Sequence, residues 1–399
     1  MFIFILLNFV SGQISIPLKR NVINSELDIL RSGGLKDSKI MNYKDIIYTA
    51  TIEIGTPGQS FSVQLDTGSS LLWVESSDCI SCDDLDDQFN AKKSTTYKNT
   101  SILIESYYLD GSGYSGYLST DVVSIGETNA LSTTANFVLV YNDTGFDDAE
   151  YDGIIGLGFK GISNNISTFM DNLKLAGKIT SKQFAMYINF RDFKGHGYGS
   201  PSSNLMIGSS NITKYSSNPS IIYNFPISPI DSIYEFWQVN SFTVKFGTFE
   251  LSTGTQAIFD SGTSLILSPP GFLDTAISAL SSLGLVCAVT DYSTIVCKCK
   301  DRKILPDLEF TYNSQTVSIP QNRLYLCDDK VCEMLVQEGS DVFWLLGDVF
   351  LRQYYTIYNM DNMTISFTPA INSMSDATVD DSSIFNLFLS ITTILAVLN

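Results

Sequence analysis

Two distant segments of the chain repeat one pattern, Leu65-Asp66-Thr67-Gly68-Ser69-Ser70 and Phe259-Asp260-Ser261-Gly262-Thr263-Ser264, each ending one apolar run and preceding another. Downstream of each comes an apolar pair and a glycine. Ile154-Ile155-Gly156 ends 90 residues after Asp66, and Leu345-Leu346-Gly347 ends 87 residues after Asp260. A single Asp-Thr-Gly closing a strand is by default a turn, since Asp accepts local backbone hydrogen bonds and Gly tolerates positive φ. The same two-part signature, twice and at nearly one spacing, is instead an internal duplication. The chain is therefore expected to fold as two versions of one lobe. Related by a two-fold axis, the lobes bring the two loops together, and Asp66 and Asp260 then face each other as a pair of carboxylates. At close range both cannot ionise, so the pair shares a proton, and one can act as base while the other acts as acid on a water.

The rest of the pattern is that of strands. Thr49 to Ile54 and Phe61 to Leu65 alternate apolar and polar residues around the turn signal Thr56-Pro57-Gly58, which predicts a hairpin. Similar patches recur at 118–125, 137–141, 184–190, 242–249 and 354–367. Helical periodicity is confined to 167–175 and to 270–283, the second entered through Pro269-Pro270. The fold class is all-β with a few short helices: two lobes in pseudo-two-fold relation with a cleft between them.

These motifs resemble those of the pepsin-like aspartic endopeptidases over roughly residues 42–370. Ala50 to Pro57 and Asp66 to Val74 are similar to that family's opening hairpin and first catalytic loop, Trp237-Gln238-Val239 to the start of its second lobe, and Trp344 to Tyr355 to its C-terminal signature. The resemblance implies Asp66 and Asp260 as catalytic residues sharing a proton, as the paired aspartates of that family do. It implies that Ser69 and Thr263 hydrogen-bond the outer carboxylate oxygens, that Thr67 and Ser261 lock the two loops together, and that Gly68 and Gly262 let the backbone approach the dyad. It also implies a β-hairpin flap closing over an extended polypeptide substrate. The flap role falls on Tyr108, with Trp73 as its hydrogen-bond partner. This flap is one residue longer than pepsin's and has Asp110 where glycine is usual, so Tyr107 is the alternative.

Seven cysteines allow three disulfides and one remaining thiol. By the resemblance Cys79 pairs with Cys82, as a shortened small-loop bridge, and Cys297 with Cys332; Cys287, Cys299 and Cys327 stay unassigned. Thr255 stands where pepsin has a cysteine. A zinc site is disfavoured, because Cys79-Ile80-Ser81-Cys82 has no second Cys-x-x-Cys and His196 is the one histidine. No metal or cofactor is expected.

The formal net charge of −18 argues against nucleic acid as a partner. Residues 1–12 read as a short secretory signal, 13–42 as a propeptide beginning with Ile16-Pro17-Leu18-Lys19-Arg20, 43–225 as the first lobe and 226–370 as the second. A core strand and a solvated linker are the plainer readings of the first two segments. Asn-x-Ser/Thr sequons begin at Asn99, Asn142, Asn165, Asn211 and Asn362. Residues 371–399 combine a small, polar spacer with an apolar tail from Ile384 to Leu398, the pattern of a signal replaced by a glycosylphosphatidylinositol anchor and too short for a comfortable membrane helix. The expected setting is the secretory pathway, ending at the cell surface or in an acidic, lysosome-like compartment, with the chain a monomer. Two other functions compete with the endopeptidase. A binding protein on the same fold should carry a damaged Asp-Thr/Ser-Gly, and both are intact. A serine or cysteine hydrolase would need His196 as base, yet that residue lies in a glycine-rich, loop-like segment and the chain has no Gly-x-Ser-x-Gly elbow.

Overall fold

The hairpin opening the first lobe forms from strands Ile46–Ile54 and Gln59–Asp66, with Ala50 opposite Val63 and Ile52 opposite Phe61. Alternation along the second strand sends Phe61, Val63 and Leu65 into the core and leaves Asp66 at its end. The structure, a computed structural model, describes residues 14–22, 46–82, 87–126, 131–146, 149–189, 201, 203–299, 302–327, 330–339 and 341–371. The segment read as a signal, most of the one read as a propeptide, His196 and the apolar C-terminal stretch lie outside these residues.

The duplication is visible in the order of strands. In the eight-stranded sheet of the first lobe, neighbours run Ile46–Ile54, Gln59–Asp66, Gly153–Gly156, Leu72–Glu75, Leu131–Thr144. In the seven-stranded sheet of the second they run Gln238–Phe246, Phe249–Phe259, Trp344–Leu346, Ile266–Ser268, Val336–Glu338. In each lobe the strand leading to the aspartate lies parallel to the apolar-pair strand, which lies antiparallel to the strand that follows the aspartate loop. The glycines ending the apolar pairs are there for close approach. A Cβ on Gly156 would collide with the backbone of Ser70 and Leu71, and one on Gly347 with the carbonyls of Thr263 and Leu265.

A third sheet, of six strands, lies under both lobes. It draws Asn204–Ile207 and Gln183–Tyr187 from the first half, Tyr354–Asn359 and Thr364–Pro369 from the end of the chain, Tyr223–Pro226 from between them, and Ile14–Pro17 at one edge. Trp237 packs above it against Phe159, Phe184 and Tyr358 and donates its indole N–H to the Leu157 carbonyl at 3.0 Å. One continuous buried cluster results, running from Leu65 and Leu157 through Trp237 to Phe259 and Phe367.

Both expected helices form, as Phe169–Leu175 and Phe272–Ser282. Thr168 caps the first through a reciprocal pair of bonds with Asp171. The patches expected at 242–249 and 354–367 each belong to two strands. Turns interrupt them, with Gly247 at φ 60° and Met363 at φ 51° in the left-handed region.

The expected Cys297–Cys332 bridge is not the pairing found. Disulfides join Cys79–Cys82, Cys287–Cys297 and Cys327–Cys332, and Cys299 is buried outside all three. In a small four-stranded sheet Cys287, Cys297, Cys332 and Cys327 stand opposite one another in a single row. Cys297 thus has a cysteine on either side. Pairing each inner cysteine with its outer neighbour uses all four sulfurs, whereas an inner pair would strand the outer two on opposite edges. Peptide mapping of the unreduced protein should recover the 287–297 and 327–332 links. Gly347→Ala, by overpacking two carbonyls in the second lobe, should cost at least about 2 kcal/mol of stability, seen as a lowered thermal midpoint.

Candidate active site

Each aspartate sits at the mouth of a strand whose next residues turn back and bond it. The Gly68 amide donates to Asp66 Oδ1 and the Gly262 amide to Asp260 Oδ1, both at 2.8 Å. The Thr263 hydroxyl donates to Asp260 Oδ2 at 2.7 Å. Ser69, expected to do the same for Asp66, lies near enough to favour its ionised form, but no hydrogen bond of ordinary geometry joins its hydroxyl to a partner. Neither Gly68 nor Gly262 has positive φ. Their smallness serves the neighbouring lobe instead. A Cβ on Gly68 would lie 2.7 Å from Asp260 Oδ1, and one on Gly262 2.6 Å from Asp66 Oδ1.

Between the loops runs a reciprocal set of four hydrogen bonds. The Thr67 amide donates to Ser261 Oγ at 3.1 Å and the Ser261 amide to Thr67 Oγ1 at 2.9 Å. Thr67 Oγ1 then donates to the Phe259 carbonyl and Ser261 Oγ to the Leu65 carbonyl, at 2.9 and 2.8 Å. Both residues are buried.

The result is a pair of carboxyls within hydrogen-bonding reach of each other, with Asp66 5% and Asp260 8% exposed. Burial, and then the charge of Asp260, hold the Asp66 carboxyl well above the usual carboxylate range; the Ser69 hydroxyl and the Gly68 amide pull the other way. Tyr358, from the shared six-stranded sheet, lies below with its hydroxyl near Thr67, and burial keeps that phenol protonated. An acid that holds its proton beside another carboxyl, at the junction of two lobes, suits donation and abstraction of protons in one reaction.

The hairpin Lys98–Tyr107 and Gly113–Ile125 carries residues 108–112 at its tip. The Trp73 indole N–H donates to the Tyr108 hydroxyl at 2.9 Å, while Tyr107 is 78% exposed. Asp110 turns inward on its own tip, accepting from the Ser112 amide and hydroxyl at 2.9 and 2.7 Å. Two further aromatics surround the Tyr108–Trp73 pair, Tyr114 and Phe146. Nothing in their local sequence marked them. Away from the site, all five sequon asparagines are exposed, and the Cys79 and Cys82 sulfurs, near Asp143, are bonded to each other.

A duplicated β fold with a buried aspartate pair under a flap is that of an aspartic endopeptidase. The comparisons agree: residues 47–370 match the family model "Eukaryotic aspartyl protease". Pepsin A of Bos taurus is 33% identical over 84% of this chain and 87% of its own length, and Pepsin A of Sus scrofa 33% over 84% of each. Pepsin A-5 of Mus musculus is 33% identical over 86% of each. The chain belongs to the eukaryotic aspartyl protease family and is an aspartic endopeptidase.

The raised Asp66 pKa has a consequence for stability. An unfolded chain ionises Asp66 near 3.8, the ordinary value. The folded chain keeps the proton to higher pH, so stability falls as pH rises from there through the folded-state value. Asp66→Asn carries no such proton. It should exceed the wild type in stability at pH 7 by on the order of 2 kcal/mol, with the gap closing toward pH 3, in denaturant titrations at both pH values.

Proposed function

We propose that Asp66 and Asp260 together hold and activate the water that hydrolyses the peptide bond. One carboxyl, ionised, takes the water's proton as its oxygen attacks the carbonyl carbon. The other, protonated, gives its proton to the carbonyl oxygen, and collapse of the tetrahedral intermediate then transfers a proton to the departing amine. The observation carrying this reading is the pair of buried carboxyls within hydrogen-bonding reach, one held protonated by burial and its neighbour. Thr67 and Ser261 serve the dyad by locking its loops, Gly68 and Gly262 by close approach and their amide bonds, Thr263 by its hydroxyl bond, and Ser69 by lying near enough to favour ionised Asp66. Tyr108, held by Trp73, closes the flap over a substrate bound as an extended strand, which fixes its backbone and excludes water.

The enzyme acts in acid, after removal of a propeptide spanning 13–42, and works as a monomer of two lobes, 43–225 and 226–370. A built-in first segment supports the zymogen reading. Ile14–Pro17 pairs with Asn204–Ile207, buries Ile16, and receives Asn204 Nδ2 at Ser15 Oγ and the Ile16 carbonyl, both at 2.8 Å; Lys19–Val22 pairs with Ile46–Ile54. A signal at 1–12, three disulfides and exposed sequons at Asn99, Asn142, Asn165, Asn211 and Asn362 support passage through an oxidising secretory pathway with glycosylation. The polar spacer and apolar tail of 371–399 support processing to a lipid anchor. Among the described residues no helix is long and apolar enough to cross a membrane.

Cleavage of a denatured protein by acid-treated chain lacking signal and tail, followed across pH 3 to 7, tests the dyad. Acid-dependent cleavage should be blocked by pepstatin, and Asp66→Asn and Asp260→Asn should each lower it by at least about 10³-fold. Undiminished cleavage by either variant would overturn the assignment.

A further inference from the structure

At the tip of the flap the Trp73 indole N–H donates to the Tyr108 hydroxyl at 2.9 Å. A part-buried hydrogen bond does not by itself fix a ring in place; what fixes it is the packing around both partners. Trp73, 1% exposed, has Tyr114 at 5.2 Å and Phe146 at 5.1 Å between ring centroids. Tyr108 has the same two rings at 6.4 Å and, edge-on, at 5.9 Å. The four rings close a box around one hydrogen bond, on a cluster completed by Val138, Val140 and Ile154.

Tyr114 is the member of this box that also belongs to the flap. It stands second in Gly113–Ile125, opposite Ser106 on the outer flap strand and Asp143 on the neighbouring strand Leu131–Thr144, and is 5% exposed. Its hydroxyl lies close to the Ser106 side chain, on the residue opposite it in the other flap strand. The tip itself adds little restraint, since Tyr107 and Leu109 on either side of Tyr108 are exposed.

We propose that Tyr114 is a positioning residue for peptide-bond hydrolysis, a second flap tyrosine that packs on Trp73 and Tyr108 and so holds the flap's hydroxyl on the indole N–H. It touches neither carboxyl. It acts through the pair it holds, and its loss lets the closed flap wander, lowering the fraction of bound substrate held in reactive geometry. The proposal rests on the reading of Tyr108 as the flap residue of an active endopeptidase.

A double-mutant cycle in kcat/KM on a peptide substrate tests it, because removing the hydroxyl that Tyr114 holds should remove the reason for holding it. In the wild-type background Tyr114→Leu should lower kcat/KM about tenfold, mostly in kcat, and in the Tyr108→Phe background by no more than about twofold. Tyr114→Phe, which keeps the ring, should recover most of the loss, and the pH profile should keep its limbs. Should Tyr114→Leu fail to fold, Tyr114→Met takes its place in the same cycle. Equal losses in both backgrounds, equal losses for the Leu and Phe variants, or no loss would overturn the role of Tyr114 alone. A wild type that cleaves nothing would overturn the endopeptidase reading with it.

Discussion

Everything at the centre of this molecule depends on four hydrogen bonds between two loops that no single lobe can satisfy. Thr67 gives its hydroxyl proton to the carbonyl of Phe259 and takes the Ser261 amide; Ser261 does the same in return with Leu65 and Thr67. All of these groups are out of water. Separating the lobes in a dry interior would leave two amides and two carbonyls unpaired, at about 1–3 kcal/mol each. That penalty holds together two carboxyls which, by charge and desolvation, would rather be apart. The dyad is a strained electrostatic arrangement held in place by neutral hydrogen bonds.

The surrounding structure removes whatever would stand in the way of that contact. Gly68 and Gly262 clear space for the opposing aspartate, and Gly156 and Gly347 let the strand behind each loop press against it. The six-stranded sheet joins both halves of the chain below, and the Trp237 indole bonds the first lobe from the start of the second. The flap is different in kind. It is an edge hairpin whose outer strand is largely exposed, with aromatic packing and the Trp73–Tyr108 hydrogen bond at its tip. Rigid below and loosely latched above is what a site needs if it must hold a dyad still while admitting a polypeptide.

Much of this could be read from the sequence, because the dyad is a local motif written twice. Asp66 and Asp260, their glycines and the Thr67 and Ser261 hydroxyls fall within two hexapeptides, and the spacing to Gly156 and Gly347 announced the repeated strand order. The hairpin followed from alternation and turn residues, and both helices from periodicity, the second also from its Pro269-Pro270 entry. Contacts set by register were not legible. The four cysteines of the small sheet lie in one row only once the strands are aligned, so spacing along the chain could not say which neighbour each would take. Tyr114 and Phe146 sit in an ordinary strand and an ordinary loop, and their meeting at Trp73 is a fact of folding. Ile14 to Pro17, four residues long, carries too short an alternation to declare itself a strand.

The central claim is that one carboxyl of the pair keeps its proton at pH values where ordinary aspartates have lost theirs. Infrared titration of the processed enzyme against Asp66→Asn, followed in the protonated-carboxyl stretch from pH 3 to 8, measures this directly. The account predicts a band from one carboxylic acid that persists above pH 5 in the wild type and is missing from the variant. A wild-type spectrum with no protonated carboxyl left at pH 5 would contradict the shared proton, and with it the assignment of acid and base to this pair.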